Sequence, residues 1–254
     1  MSSLTIGWIA FACVFGGALL GMFLRTVLPE NHLSSDSKDV VKLGMGLIAT
    51  MAALVLGLLT GSAKSAFDTQ DAELKASAAN VILLDRILAH YGPETKPIRD
   101  QIRQAIEYKL AATWPENAAT KAREDTSENT PAIERIEDEM RALSPQNDAQ
   151  RAQQSRALQI VGDLMQTRWL VLGQEAGAGI QLTLLVVLVL WLASLFASFG
   201  LFAPRNATVI VVLAVAALSV CGAIFLILEM NRPFQGLVKI SAAPLRYALA
   251  HLGQ

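Results

Sequence analysis

Charged side chains are scarce in this sequence, and where they are missing matters more than how few there are. Lys, Arg, Asp and Glu make up 17% of the 254 residues, against 53% for the hydrophobic types. None of the four occurs in the windows Leu4 to Leu24, Leu43 to Thr60, Gly179 to Gly200 and Ala207 to Leu228. Each window reaches or nears the roughly 20 residues that carry a helix across about 30 Å of hydrocarbon. A soluble helix of that length keeps a polar face, and these do not. The prediction is an all-α integral membrane protein with four transmembrane helices. Met1-Ser2-Ser3 supplies no basic segment ahead of the first run, and that run outlasts the apolar part of a signal peptide, so it is expected to be retained.

Further absences close off whole classes of function. His32, His90 and His251 stand in three separate regions, with no Cys, Asp or Glu at metal-ligand spacing around them, so no metal site is expected. There is no phosphate-binding loop, nucleophile elbow or dinucleotide fingerprint; Gly44-Met45-Gly46 lacks both the third glycine and a flanking strand. No catalytic residue and no cofactor is predicted, and the chain does not read as an enzyme. A net charge of −1 leaves no domain-wide basic surface for nucleic acid. The only cysteines, Cys13 and Cys221, fall inside the apolar windows, where they act as small packing residues. No carboxylate or base sits at mid-span and no matched pair of broken helices occurs, which disfavours a coupled transporter.

Four spans put both termini and the long middle segment on one side. That side carries Lys64, Lys75, Arg156, Arg168, Arg232, Lys239 and Arg246 near the membrane, and the other carries Arg25, Lys38, Lys42 and Arg205. The excess marks the first side as cytoplasmic. Four regions follow: 1–62, two spans joined by an outer loop; 63–177, a cytoplasmic helical domain; 178–229, two further spans; and 230–254, a cytoplasmic tail. The outer loop, with Glu30, Asp36, Lys38 and Asp39, is expected to form a vestibule of mixed charge.

The middle region is dominated by Ala, Glu, Gln, Lys and Arg, with no alternating β-branched run, so it reads as helix throughout. The second span should continue through Val81, Leu84 and Leu88 to a break at Gly92-Pro93. A new helix should start near Pro97 with Ile98, Ile102, Ile106 and Leu110 on its apolar face. The polar stretch Trp114 to Thr130 lacks periodicity and reads as an excursion. Order should return with Ile133, Ile136, Met140 and Leu143, and then with a long helix carrying Leu158, Val161 and Met165 toward the third span. The nearly continuous run Leu182 to Leu190 in that span is expected to face lipid.

The second span differs in composition from the others. It carries Gly44, Gly46, Ala49, Ala52, Ala53, Gly57, Thr60 and Gly61. Gly57 and Gly61 stand in the small-xxx-small register that lets helix backbones approach, as do Gly17 and Gly21 of the first span. Close packing inside one chain is the simple account of both pairs. The second span also places Thr50, Leu54 and Leu58 at i, i+4 spacing, with Gly61 further along the same side and Lys64 and Asp68 at its cytoplasmic end. Several copies around an axis would turn the leucines into apolar rings narrow enough to gate by dewetting, with Lys64 and Asp68 as charge at the pore mouth.

Two stretches carry a family resemblance. Leu54 to Leu88, with Leu56-Gly57 leading into a polar helix, and Met230 to Leu245, with Asn231-Arg232-Pro233-Phe234 after the fourth span, resemble bestrophins; the whole chain is similar to the bacterial bestrophin-like family of four-span proteins. The resemblance implies a homo-oligomeric, pentameric ion channel in the bacterial inner membrane. It would conduct monovalent ions, anions weakly favoured, and have its own copies, the lipid bilayer and those ions as partners, with no nucleic acid. Aligning Leu56-Gly57 puts Thr50, Leu54 and Leu58 at the neck of the pore. Aliphatic residues replace the family's aromatic ones there, Arg232 is inserted into the Asn-Pro-Phe element, and Gly236 to Pro244 lacks the acidic residues of the calcium clasp, so calcium gating is not expected. The alternative is a non-conducting oligomeric scaffold or sensor whose cytoplasmic helices bind a partner. Glu229 is expected to pair with Arg232 one turn on.

Overall fold

The computed structural model describes residues 2–29, 35–115, 130–175 and 178–253, with the side chains at 36, 130–132, 168–175 and 178–182 outside the description. Eight α-helices are described: α1 (Ser3–Val27), α2 (Ser35–Tyr91), α3 (Lys96–Thr113), α4 (Thr130–Ala142), α5 (Asp148–Glu175), α6 (Ala178–Phe202), α7 (Ala207–Met230) and α8 (Ala243–His251). No strand occurs among the described residues. Four helices, α1, α2, α6 and α7, contain segments long and apolar enough to cross a membrane. The chain is therefore all-α and multi-pass. It divides into two compact units, one of residues 1–67 and 176–239 and the other of residues 68–175 and 240–254, with the single helix α2 contributing to both.

In the first unit α1 packs against α6 and α7. Val14, Ala18, Leu188, Ala217 and Ile224 are fully covered at its centre. α1 and α6 meet at backbone distance, because a Cβ on Gly21 would overlap the main-chain oxygen of Ala197, and one on Gly200 would overlap that of Ala18. A Cβ on Gly17 would stand 2.5 Å from the oxygen of Ala193. Small residues on both helices thus buy extra van der Waals contact between backbones, which is how helices associate where lipid is as apolar as leucine. Polar side chains fix the helix starts: Ser2 accepts from the amide of Thr5, and Asn206 Oδ1 accepts from that of Val209 at 2.8 Å.

The third span does not simply face lipid. Leu185, Leu188, Leu192, Leu195 and Phe196 of α6 are buried, while Leu184, Val186 and Leu190 on its other side are exposed. An all-apolar run has no periodicity to separate a protein-facing side from a lipid-facing one, so sequence alone could not divide it. Leu182 lies outside the described side chains.

The second unit is a helical bundle. α2 ends at Tyr91, and Gly92 adopts φ +152°, a conformation in which a Cβ would overlap the Glu94 carboxylate. A single 3-10 turn, Pro93–Thr95, leads into α3, which carries a proline in its first turn. Ile98, Ile102 and Ile106 are buried as the spacing requires, and Leu110 is half-buried. On α4 the pattern holds as well, with Ile136 and Met140 buried. On α5 the buried face is Ala157, Ile160 and Val161, so Leu158 and Met165 lie at its margin.

Asp85 anchors the polar part of this bundle. Its carboxylate, almost wholly buried, accepts from Arg99 Nε at 2.7 Å and Nη2 at 2.9 Å, and from the main-chain N–H of Gly253 at 3.2 Å. The hydrogen bonds to Asp85 raise the Arg99 guanidinium above its ordinary pKa. Residues 240–254 belong to this unit: Leu245, Ala248 and Leu252 are buried, and α8 packs on α3. Trp114 donates its indole N–H to the carbonyl of Ile240 at 2.9 Å. Trp114 is thus held in the fold rather than opening the excursion expected at Trp114 to Thr130, whose residues 116–129 lie outside the described ones.

Candidate functional site

The second helix offers a covered side and an open side. Within the first unit, Ala52, Leu59 and Ala63 are buried, and Ile48, Val55 and Leu56 pack against the same core. On the other side Thr50, Leu54, Leu58, Gly61 and Lys64 are all exposed. At about 100° per residue these five fall within an arc of about 120° around the helix axis. Asp68, the first residue of the second unit, is exposed too. The structure therefore places the residues singled out from spacing on a surface that their own chain leaves open.

The same arc contains residues that the sequence reading passed over. Leu43 and Leu47 are 78% and 68% exposed, more than Leu54 at 61% and comparable to Leu58 at 73%. With Thr50, Gly57 and Gly61 they continue a 4-3-4-3-4 spacing that was legible in the sequence as one unbroken stripe, Leu43, Leu47, Thr50, Leu54, Gly57, Gly61. Thr50 spends its hydroxyl hydrogen on the carbonyl of Gly46 at 3.0 Å, so the oxygen's outward lone pairs are what it offers a passing polar species. Thr60 bonds back to Leu56 in the same way.

Glycines are frequent on the open surface of α2. Gly44, Gly46, Gly57 and Gly61 are exposed, and a Cβ added at any of them would meet nothing within 4 Å. Among the described residues, packing inside the chain does not account for Gly57 and Gly61. Each glycine in a helix interior costs about 1 kcal/mol relative to alanine, and no contact among the described residues offsets that cost. The open face of α7 has one glycine in the same setting, Gly222, and otherwise presents mostly branched aliphatics, Val211, Val212, Val215, Leu218 and Leu226, as a lipid-facing surface would.

After the fourth span, Asn231 to Leu237 forms a compact turn. The amides of Asn231, Arg232 and Gln235 donate to the carbonyls of Ile227, Glu229 and Arg232. Pro233 is buried and Phe234 half-buried. Glu229 is buried as well, and its carboxylate accepts from the Leu237 amide at 2.6 Å, closing the turn over Gly236, whose φ is +95°. Glu229 and Arg232 meet through a main-chain bond, and one oxygen of the Glu229 carboxylate holds the loop.

No group of three or more His, Cys, Asp or Glu able to hold a metal ion occurs among the described residues. Cys13 and Cys221 are both free. Of the outer loop, Glu30 and the side chain of Asp36 lie outside the description, while Lys42 pairs with Asp39 at 3.3 Å.

Four apolar spans joined to a helical bundle define a multi-pass membrane protein. The family model of the bestrophin-like domain matches residues 12–245, nearly the whole chain, and the protein belongs to the bestrophin-like family. That membership points to a channel-like role in a membrane rather than to catalysis. No curated protein and no solved structure matches the chain.

Proposed function

We propose that the protein is a homo-oligomeric ion channel, pentameric, in which the open face of α2 lines the path of monovalent ions. The observation that carries this reading is the pairing of exposed glycines with exposed leucines on one arc of α2. Glycines with no neighbour among the described residues of their own chain suit a helix that approaches other copies around an axis. In such a ring Leu54 and Leu58 form the narrowest apolar constriction and Thr50 a polar step beside it, while Gly61 keeps the helices close. Lys64 and Asp68 tune which ion enters, anions weakly favoured. Both termini, the helical bundle and the Asn231-Arg232-Pro233-Phe234 turn lie on the cytoplasmic side of a bacterial inner membrane, a reading supported by the excess of Lys and Arg there.

Replacing Leu54 and Leu58 by Ala lowers the cost of wetting the constriction, so ion flux into liposomes should rise while the oligomer stays intact. Leu190→Ala, on an exposed face of α6, is the control and should leave flux unchanged. If wild type and both variants fail to conduct while intact oligomers are verified, the pore assignment fails. The scaffold reading, in which the same glycines serve assembly alone, then takes its place.

A further inference from the structure

Two arginines at the end of the spans where α1 stops and α6 turns into α7 hold each other's main chain. Arg25, in the last turn of α1, donates through Nη1 to the carbonyl of Ala203, just past α6; Arg205 donates through Nη2 to the carbonyl of Met22 in α1. Each guanidinium therefore bonds the backbone within three residues of the other arginine, which brings the two cationic groups into one locality. Arg25 is half-buried and Arg205 exposed. Among the described residues no carboxylate lies within ion-pair distance of either, whereas Lys42 has its Asp39.

Capping of helix ends is the ordinary role for such residues, and it accounts for part of what is seen. It leaves most of the chemistry unused. A guanidinium carries five N–H donors in a flat fork, and among the described residues each of these spends one on a carbonyl. Nor do the helix dipoles balance the two guanidinium charges. The C-terminal ends of α1 and α6 contribute about half a negative charge each and the start of α7 about half a positive one, which leaves these described groups positive by about one and a half charges. The surface beside it is apolar and open, with Phe23, Val27 and Phe199 at 62%, 65% and 50% exposure. A cationic fork at the end of a span, flanked by exposed aromatic and aliphatic groups, sits at the depth where phospholipid phosphates lie and acyl chains begin.

We infer that Arg25 and Arg205 together bind the phosphate of an anionic phospholipid. The forks supply bidentate, charge-assisted hydrogen bonds that a lysine would not, and Phe23, Val27 and Phe199 contact the acyl chains. The inference rests on the four-span fold and is independent of whether α2 lines a pore.

The test uses the full-length protein in nanodiscs of phosphatidylcholine alone or mixed with phosphatidylglycerol. Retained lipid is counted by native mass spectrometry and the thermal midpoint is followed in parallel. Wild type should retain phosphatidylglycerol selectively and unfold at a higher temperature in the mixed discs. Arg25→Gln/Arg205→Gln should lose that rise and bind phosphatidylglycerol about tenfold more weakly, while Lys42→Gln behaves as wild type. Equal retention by the double variant, or no preference by wild type, overturns the site. Should the Gln pair not fold, Arg25→Lys/Arg205→Lys keeps both charges without the fork: a reduced rise supports the site and an undiminished one overturns it. Inorganic phosphate, titrated against chloride at equal ionic strength in neutral detergent, separates the sources. A rise as large as that given by the lipid would assign the forks to a free anion and overturn the lipid assignment.

Discussion

α1 and α2 each carry a pair of glycines four residues apart, and the protomer treats the two pairs in opposite ways. Gly17 and Gly21 are pressed against the backbone of α6 so closely that neither has room for a methyl group. Gly57 and Gly61 face open space. The same motif therefore means intrachain packing on one helix and an unfilled face on the other, and sequence spacing cannot tell them apart. What distinguishes them is the opposing partner: α6 supplies Ala193, Ala197 and Gly200 in matching positions, and none of the described residues does so for Gly57 and Gly61.

The comparison can be broken most forcefully at Gly21. Gly21→Val sets a branched side chain into the main chain of Ala197, with no flexible neighbour to yield, and should prevent recovery of folded protein in detergent extracts. Gly21→Ala should cost about 1–3 kcal/mol, seen as a lower thermal midpoint. Gly17→Ala, with 2.5 Å to the Ala193 oxygen, should cost less than Gly21→Ala in the same assay. Ordering these two the other way would mean that α1 and α6 cross differently from the arrangement seen. The smallest effect carries the opposite sign: Gly57→Ala should stabilise the dissociated protomer by about 0.5–1 kcal/mol through helix propensity, and any loss of assembly should appear only in the oligomer population. A destabilised protomer would show that α2 has an intrachain neighbour at Gly57 after all.

Much of the fold was legible because charge and periodicity mark it. The charge-free windows became the apolar spans, the Gly92-Pro93 break ended α2, and Ile98, Ile102 and Ile106 turned inward. What escaped notice depends on contacts far apart in sequence or on patterns with no polar side. Trp114 reaches Ile240, and Gly253 reaches Asp85, across more than a hundred residues that carry no local sign of either meeting. The buried side of α6 is invisible in a run where every position is apolar. Glu229 was expected to serve Arg232, and its buried carboxylate also accepts from the Leu237 amide eight residues on, a contact that no local spacing marks. On the candidate face, Thr50, Leu54 and Leu58 share one side by their i, i+4 spacing, and Leu43 and Leu47 extend the same stripe beyond the positions that the family resemblance marks as the neck.

The central claim, that the open arc of α2 lines an ion path, is tested most directly by placing a cysteine at Leu58 in a Cys13→Ala/Cys221→Ala background and recording current in planar bilayers before and after a charged methanethiosulfonate reagent is added. The account predicts a current that changes sharply on modification at Leu58→Cys and stays constant at Leu190→Cys on the exposed face of α6. A conducting oligomer whose current is indifferent to modification at Leu58→Cys would contradict it.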